Sequence, residues 1–263
     1  MPVIDRRSLV IGGAAGIALG GSVAGAAKRI EHAQQKPARR PNFAAVAKQH
    51  FEEEGFKINQ RKQNQSAETV AHLKAKYENP VFGRMDVWEL IEKMAQCIDT
   101  TDSALGCASQ LTHVQQAIAA MESEGVTDPD LFLISLLHDL GKVFLLTGEV
   151  PENVLCRSKR IGNYPHEIGL DKLVYQFGHG ELIYSRIKDH VPEHVAWSAR
   201  YHMVDMDDAA PFMSEKDREF TSNYLKPFCH YDRDFKATHS VPAVDMDKYQ
   251  ELIRQFFPKP ILF

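Results

Sequence analysis

From Ser66 onward apolar residues recur at spacings of three and four, as in Val70, Leu73 and Tyr77, then Val87, Leu90, Ile91, Met94 and Ile98. That recurrence marks helices with one buried face and predicts two of them before residue 100. Further helical stretches are expected near Leu111 to Glu124, Asp130 to Leu146, Gly169 to Lys188, Pro192 to Met203 and Ser214 to Asp234. Asp128-Pro129 and Pro192 stand where helices should begin, because proline suits the first turn and breaks the interior. Ser214 and Asp217 have capping-box spacing. No segment sustains a polar–apolar alternation of period two, so the pattern predicts an all-α, single-domain bundle over residues 66–263.

Upstream the pattern changes twice. Asp5-Arg6-Arg7-Ser8-Leu9-Val10 opens a Gly/Ala-rich apolar run to Ala27, with Ala24-Gly25-Ala26 as a small-residue cleavage site. Residues 1–27 therefore resemble a twin-arginine signal peptide. They imply that the export machinery is a partner and that the protein is periplasmic or exported, or membrane-anchored if the signal is not cleaved. Residues 28–65 are rich in Arg, Lys, Gln and Glu and are expected to form a linker and a peripheral helix carrying little chemistry.

Composition narrows the class. With 44% hydrophobic and 25% charged residues in 263, the chain can bury one sizeable core. A net charge of −4 with scattered basic residues gives no reason to expect nucleic acid as a partner. Cys97, Cys107, Cys156 and Cys229 contain no CxxC pair; isolated thiols are expected, with a Cys97–Cys107 bridge as the alternative in an oxidising compartment.

The densest chemistry lies in Leu136-Leu137-His138-Asp139-Leu140-Gly141-Lys142, at the end of an apolar run. A carboxylate there is costly to bury unless a cation meets it, and a metal ion meets that need. His113, His179, His202 and Asp232 sit on predicted helices with similar apolar flanks. Four histidines and two aspartates are more than one ion requires and suit two bridged ions.

In this order, Leu-Thr-His113-Val-Gln-Gln-Ala, Leu-Leu-His138-Asp139-Leu-Gly-Lys142, Phe-Gly-His179, Arg-Tyr-His202 and Tyr-Asp232-Arg-Asp-Phe-Lys236 resemble the myo-inositol oxygenase family, a group of HD-domain oxygenases. Tyr249 to Ile253 and Phe257-Pro258 fit the family's tail, so the resemblance runs from about Gln65 to Phe263. It implies a mixed-valent Fe(II)/Fe(III) pair on His113, His138, Asp139, His179, His202 and Asp232, with Asp139 bridging. The implied reaction is dioxygen-dependent cleavage of a C–C bond in a cyclitol, giving an acid.

Lys142 and Lys236 follow Asp139 and Asp232 by three and four residues, so on a helix each would project near its ligand. The resemblance implies that they act there as catalytic and substrate-binding cations, with a lysine reaching the surface at a helix end as the alternative. Asp99 and Asp102 resemble family carboxylates that meet substrate or order a lid. The substrate side departs from the family: its Gly-Asp pair falls where this chain has Cys156-Arg157, Met203 replaces a serine, and the Gly148 to His166 loop is shorter than in animal members. Arg157 is therefore a candidate substrate-binding residue for an anion, with a solvated loop charge as the alternative. The partners expected are dioxygen and a small polar substrate, and the protein is expected to be a monomer. An HD-type phosphohydrolase is the alternative function, and an exported metal-binding or redox-sensing protein a third.

Overall fold

A computed structural model describes residues 43–238 and 240–263, with helix path alone for 43–47. The expected signal segment and the chain up to residue 42 lie outside the described residues. The helices are α1 Phe43–Gln63, α2 Ala67–Lys76, α3 Val87–Lys93, α4 Gln110–Ser123, α5 Pro129–Leu137, α6 His179–Ile187, α7 Glu193–Tyr201, α8 Met206–Ala209, α9 Glu215–Phe220, α10 Lys226–Asp234 and α11 Asp247–Phe256. Extended structure among the described residues amounts to two antiparallel pairs of two-residue strands and two isolated bridges, Ile98 with Ser109 and Ser158 with Val204. The strand pairs are β1 Arg84–Met85 with β4 Ile261–Leu262, and β2 Arg160–Ile161 with β3 Val174–Tyr175. The all-α expectation holds. None of the described helices is long and apolar enough to cross a membrane.

Several helix starts follow local chemistry. Ser66, Asp86, Ser109 and Asp128 each accept a backbone N–H of the first turn, and Pro129 follows its cap at the first helical position. Ser214 and Asp217 form the expected capping box. Leu90, Ile91, Ile118, Leu133, Leu136, Ile183 and Phe228 are fully buried in the core between these helices. Each contributes about 1.5–3 kcal/mol through the apolar surface it removes from water.

Three expectations need correction. The helix expected from Asp130 to Leu146 ends at Leu137, and Leu140–Thr147 winds as a 3-10 helix instead. The helix expected from Gly169 begins only at His179, since Leu170–Lys172 is a short 3-10 turn and Val174–Tyr175 pairs with Arg160–Ile161. The stretch from Ser214 to Asp234 is helical but interrupted by a π-helical turn at Thr221–Leu225, next to Pro227, which has no N–H to give. The cysteines of the described residues are free thiols.

Candidate metal centre

Five elements converge on one buried point. His113 comes from α4, His138 and Asp139 from the end of α5, His179 from the first residue of α6, His202 from the end of α7, and Asp232 from α10. All six are buried, so the sequence-predicted set is brought together without exception. The approach of two segments is set by glycine: a Cβ on Gly141 would lie 2.3 Å from the carbonyl oxygen of His179, and one on Gly180 would lie 2.4 Å from that of Arg200.

Asp139 sits at the middle, with its two oxygens facing different histidine pairs. Oδ1 lies 3.1 Å from His179 Nε2 and 3.5 Å from His202 Nε2. Oδ2 lies 3.2 Å from His138 Nε2 and 3.7 Å from His113 Nε2. Asp232 Oδ1 closes the second group, 2.9 Å from His113 Nε2 and 3.6 Å from that of His138. The donor atoms of His113, His138 and Asp232, and those of His138, Asp139 and His202, are close enough to share an ion.

The tautomers of three histidines follow from their partners. Nδ1–H of His138 donates to Ser135 O at 2.9 Å, that of His179 to Val154 O at 2.7 Å, and that of His202 to Ala199 O at 2.8 Å. A carbonyl only accepts, so in the neutral form of each ring Nε2 is a lone pair aimed inward; burial keeps His179 and His202 in that form. His179 Nε2 and His202 Nε2 are 3.0 Å apart, two lone pairs that repel unless a cation lies against them. His138 Nε2, although buried, has no hydrogen-bond donor or acceptor among the described residues. Imidazole lone pairs and carboxylates in this arrangement fit first-row divalent metals, iron among them.

Charge at the site agrees. Burial opposes ionisation of Asp139, yet the neighbouring His138 and Lys142 hold its carboxyl well below the usual range. Asp232 is likewise held well below that range, against burial, by His113, His138 and Lys236. His138 is pushed up to about 9, its desolvation outweighed by Asp139 and Asp232. The two carboxylates therefore stay ionised and draw positive charge toward them.

Lys142 is buried, with Nζ at 2.9 Å from each of Asp139 Oδ2, Asp99 Oδ2 and Gln110 Oε1. It reaches Asp139 because residues three apart eclipse in a 3-10 helix, and its backbone N–H donates to Asp139 O at 2.8 Å. The three-residue spacing thus brings Lys142 to Asp139 as expected, and its three donors are engaged by Asp139, Asp99 and Gln110. Lys236 lies just past the end of α10, 2.7 Å from Asp102 Oδ2 and 3.6 Å from Asp232 Oδ1. Asp99 also accepts from Thr101 Oγ1 at 2.6 Å. The two loop aspartates thus hold the lysines.

A cleft of about 630 Å³ opens beside Asp139, His179, His202 and Asp232. Arg157 and Met203 both line it, Arg157 exposed at the rim and Met203 buried against Gly178 and Gly180. Lys62, Gln110 and Arg233 were missed in the sequence reading. Lys62 comes from α1, so the segment expected to carry little chemistry supplies part of the cleft wall. Its only sequence signal is a lysine four residues after the buried Ile58, on the same face of a helix.

An all-α bundle with adjacent His and Asp at a helix end, met by histidines and an aspartate from four other elements, defines an HD-type metalloenzyme architecture. Comparison with known proteins gives the particular group. The sequence pattern of myo-inositol oxygenases matches residues 53–156 and 150–263, and the chain belongs to that family. It is 25% identical over 249 residues to "Probable inositol oxygenase" of Oryza sativa subsp. japonica, covering 78% of this chain and 79% of the relative. Inositol oxygenase 1 of Arabidopsis thaliana is also 25% identical over 249 residues, with 80% and 79% covered. Inositol oxygenase of Danio rerio is 24% identical over 234 residues, with 73% and 83% covered.

Proposed function

We propose that the protein is a non-haem di-iron oxygenase that uses dioxygen to cleave a C–C bond in a cyclitol or related polar small molecule, giving an acid. The observation that carries this reading is the division of the two Asp139 oxygens between the His113/His138 pair and the His179/His202 pair. His113, His138, Asp232 and Asp139 would hold one iron, and Asp139, His179 and His202 the other. A mixed-valent Fe(II)/Fe(III) pair, when bound, supplies the one-electron chemistry that dioxygen requires. Family membership favours the oxygenase over the phosphohydrolase, which shares the adjacent His and Asp.

The chain's own groups have separable tasks. Lys142 is a positioning residue, keeping Asp139 ionised and turned between the histidine pairs. Lys236 lines the cleft and would offer a cation to developing negative charge on a substrate oxygen. Asp99 and Asp102 orient the two lysines. Iron content together with dioxygen uptake and acid production from myo-inositol or a substituted cyclitol is the direct test. About two irons per chain and substrate-dependent uptake are expected; phosphate-ester hydrolysis by a zinc-loaded protein with no uptake overturns the reading.

For location, we propose export of the already folded protein by the twin-arginine route, supported by Arg6-Arg7 and the glycine-diluted apolar run behind them. The double replacement Arg6→Lys, Arg7→Lys is expected to retain the protein in the cytoplasm. An undiminished exported fraction would contradict it.

A further inference from the structure

The cleft beside the metal-ligand cluster has an imbalance of charge that the ligand set does not use. Its walls carry Lys62, Lys142, Arg157, Lys159, Arg233 and Lys236 against only four carboxylates, Asp99, Asp102, Asp139 and Asp232. Lys142 and Lys236 take up Asp99 and Asp102 and lean on Asp139 and Asp232. The other four cations have no carboxylate within ion-pair distance among the described residues. Arg233 makes one long bond to His202 O at 3.4 Å, and Lys62 donates to Leu155 O at 2.8 Å and Cys156 O at 3.2 Å. Metal ions bound at the six ligands would add still more positive charge.

Lys62 is the most telling of them. It is 1% exposed, and a buried ammonium facing only backbone carbonyls is short of negative charge. Burial holds it down to about 8, so at neutral pH it is still mostly a cation. The loop it grips is strained: Cys156 adopts φ 70°, a left-handed conformation unfavourable for a residue with a side chain. Lys62 holds the carbonyls of Leu155 and Cys156 on either side of that peptide, which places the next residue, Arg157, on the cleft wall. The wall is built, with a buried ammonium at its base and guanidinium groups toward its rim.

We infer that the substrate carries an oxyanion group, of the phosphate, phosphonate or carboxylate type, read by Arg157 and Arg233 at the rim and by Lys62 within. Guanidinium groups match the paired oxygens of such groups and gain from their charge, whereas a polyol hydroxyl accepts from them but brings no opposite charge and leaves its own O–H without an acceptor there. The inference rests on the proposed function only for the placement of the reacting end beside the metal ligands.

The test is binding, measured by calorimetry on the full metal-loaded chain with myo-inositol, myo-inositol 1-phosphate and inorganic phosphate. The monophosphate is expected to bind about tenfold or more tightly than inositol, a preference that shrinks as NaCl rises from about 0.05 to about 0.5 M. Arg157→Asp, at an exposed position, should remove that preference with metal content unchanged, and Lys62→Met should weaken it in the same direction. Inositol binding as tightly as its monophosphate overturns the inference. So does a preference that survives Arg157→Asp and is matched by inorganic phosphate, because the anion would then be sitting on the metals. Failure of dioxygen uptake would strike the oxygenase reading and leave this binding comparison intact.

Discussion

Two buried aspartates in this molecule have almost the same exposure, 2% for Asp139 and 3% for Asp217, and opposite surroundings. Asp217 accepts from Leu170 N at 3.0 Å, Ser214 N at 2.9 Å, Ser214 Oγ at 2.7 Å and Trp197 Nε1 at 2.9 Å. Its oxygens are satisfied by neutral donors of the chain itself, and it ties the start of α9 to α7 and to the turn at Leu170. Asp139 is met by Lys142 and by four imidazoles, three of which already donate their Nδ1–H to a backbone carbonyl. One carboxylate closes a structural network; the other leaves a network that only cations complete. Burial alone does not separate structural from functional carboxylates, whereas the protonation state of their neighbours does.

The largest effect is expected at the centre. Asp139→Ala should abolish metal binding and lower the unfolding free energy by roughly 3–5 kcal/mol, because Lys142 loses a buried partner; metal analysis and urea unfolding measure both, and retained metal would refute the bridging role. Asp217→Ala should cost roughly 2–4 kcal/mol by stranding buried donors, yet leave the metal content of the folded protein unchanged. Loss of metal there would erase the distinction between the two regions. Gly141→Ala forces a methyl group against His179 O, so about 1–3 kcal/mol of destabilisation should come with weakened metal affinity. Its test is whether the two losses appear together.

The smallest effect concerns Glu149, which accepts from Lys76 and from the Tyr77 hydroxyl. Burial would raise its pKa, but these partners hold it at about 2 against an ordinary 4.5. The folded-state value lies below the unfolded one, so its contribution is fully present above about pH 4.5 and is lost as pH falls toward 2. Lys76 is solvent-exposed, which limits the contribution to about 1 kcal/mol or less. Glu149→Gln should flatten that part of the stability–pH curve, and an unchanged curve would show that the contact contributes nothing.

His138 and Asp139 were legible because they follow the apolar run Leu131 to Leu137, where a polar residue needs a reason. His113, His179, His202 and Asp232 have more polar neighbours and were legible through their order along the chain, which resembles the family's. The break at Asp139 was not legible, since Leu140, Val143 and Phe144 continue a spacing that suits either α or 3-10 winding. Leu170, Leu173 and Val174 misled in the same way: their apolar spacing reflects burial of an irregular segment and a strand. Lys62 was hidden because a buried lysine and a solvated one look alike among Arg61, Gln63 and Asn64. Its partners are backbone carbonyls 93 and 94 residues away, which leave no trace in side-chain identity.

The 3-10 winding of Leu140–Thr147 has a consequence for angular phase. A 3-10 helix advances about 120° per residue and an α-helix about 100°, so three residues differ by roughly 60° between them. In the observed winding Lys142 completes a full turn and arrives above Asp139; in an α-helical one its stem would stop short of that direction. The neutralising cation of the centre is thus set by backbone pitch as much as by residue identity. A lysine moved to position 143 to recover the α-helical phase would not be equivalent, because Val143 is fully buried in the apolar core.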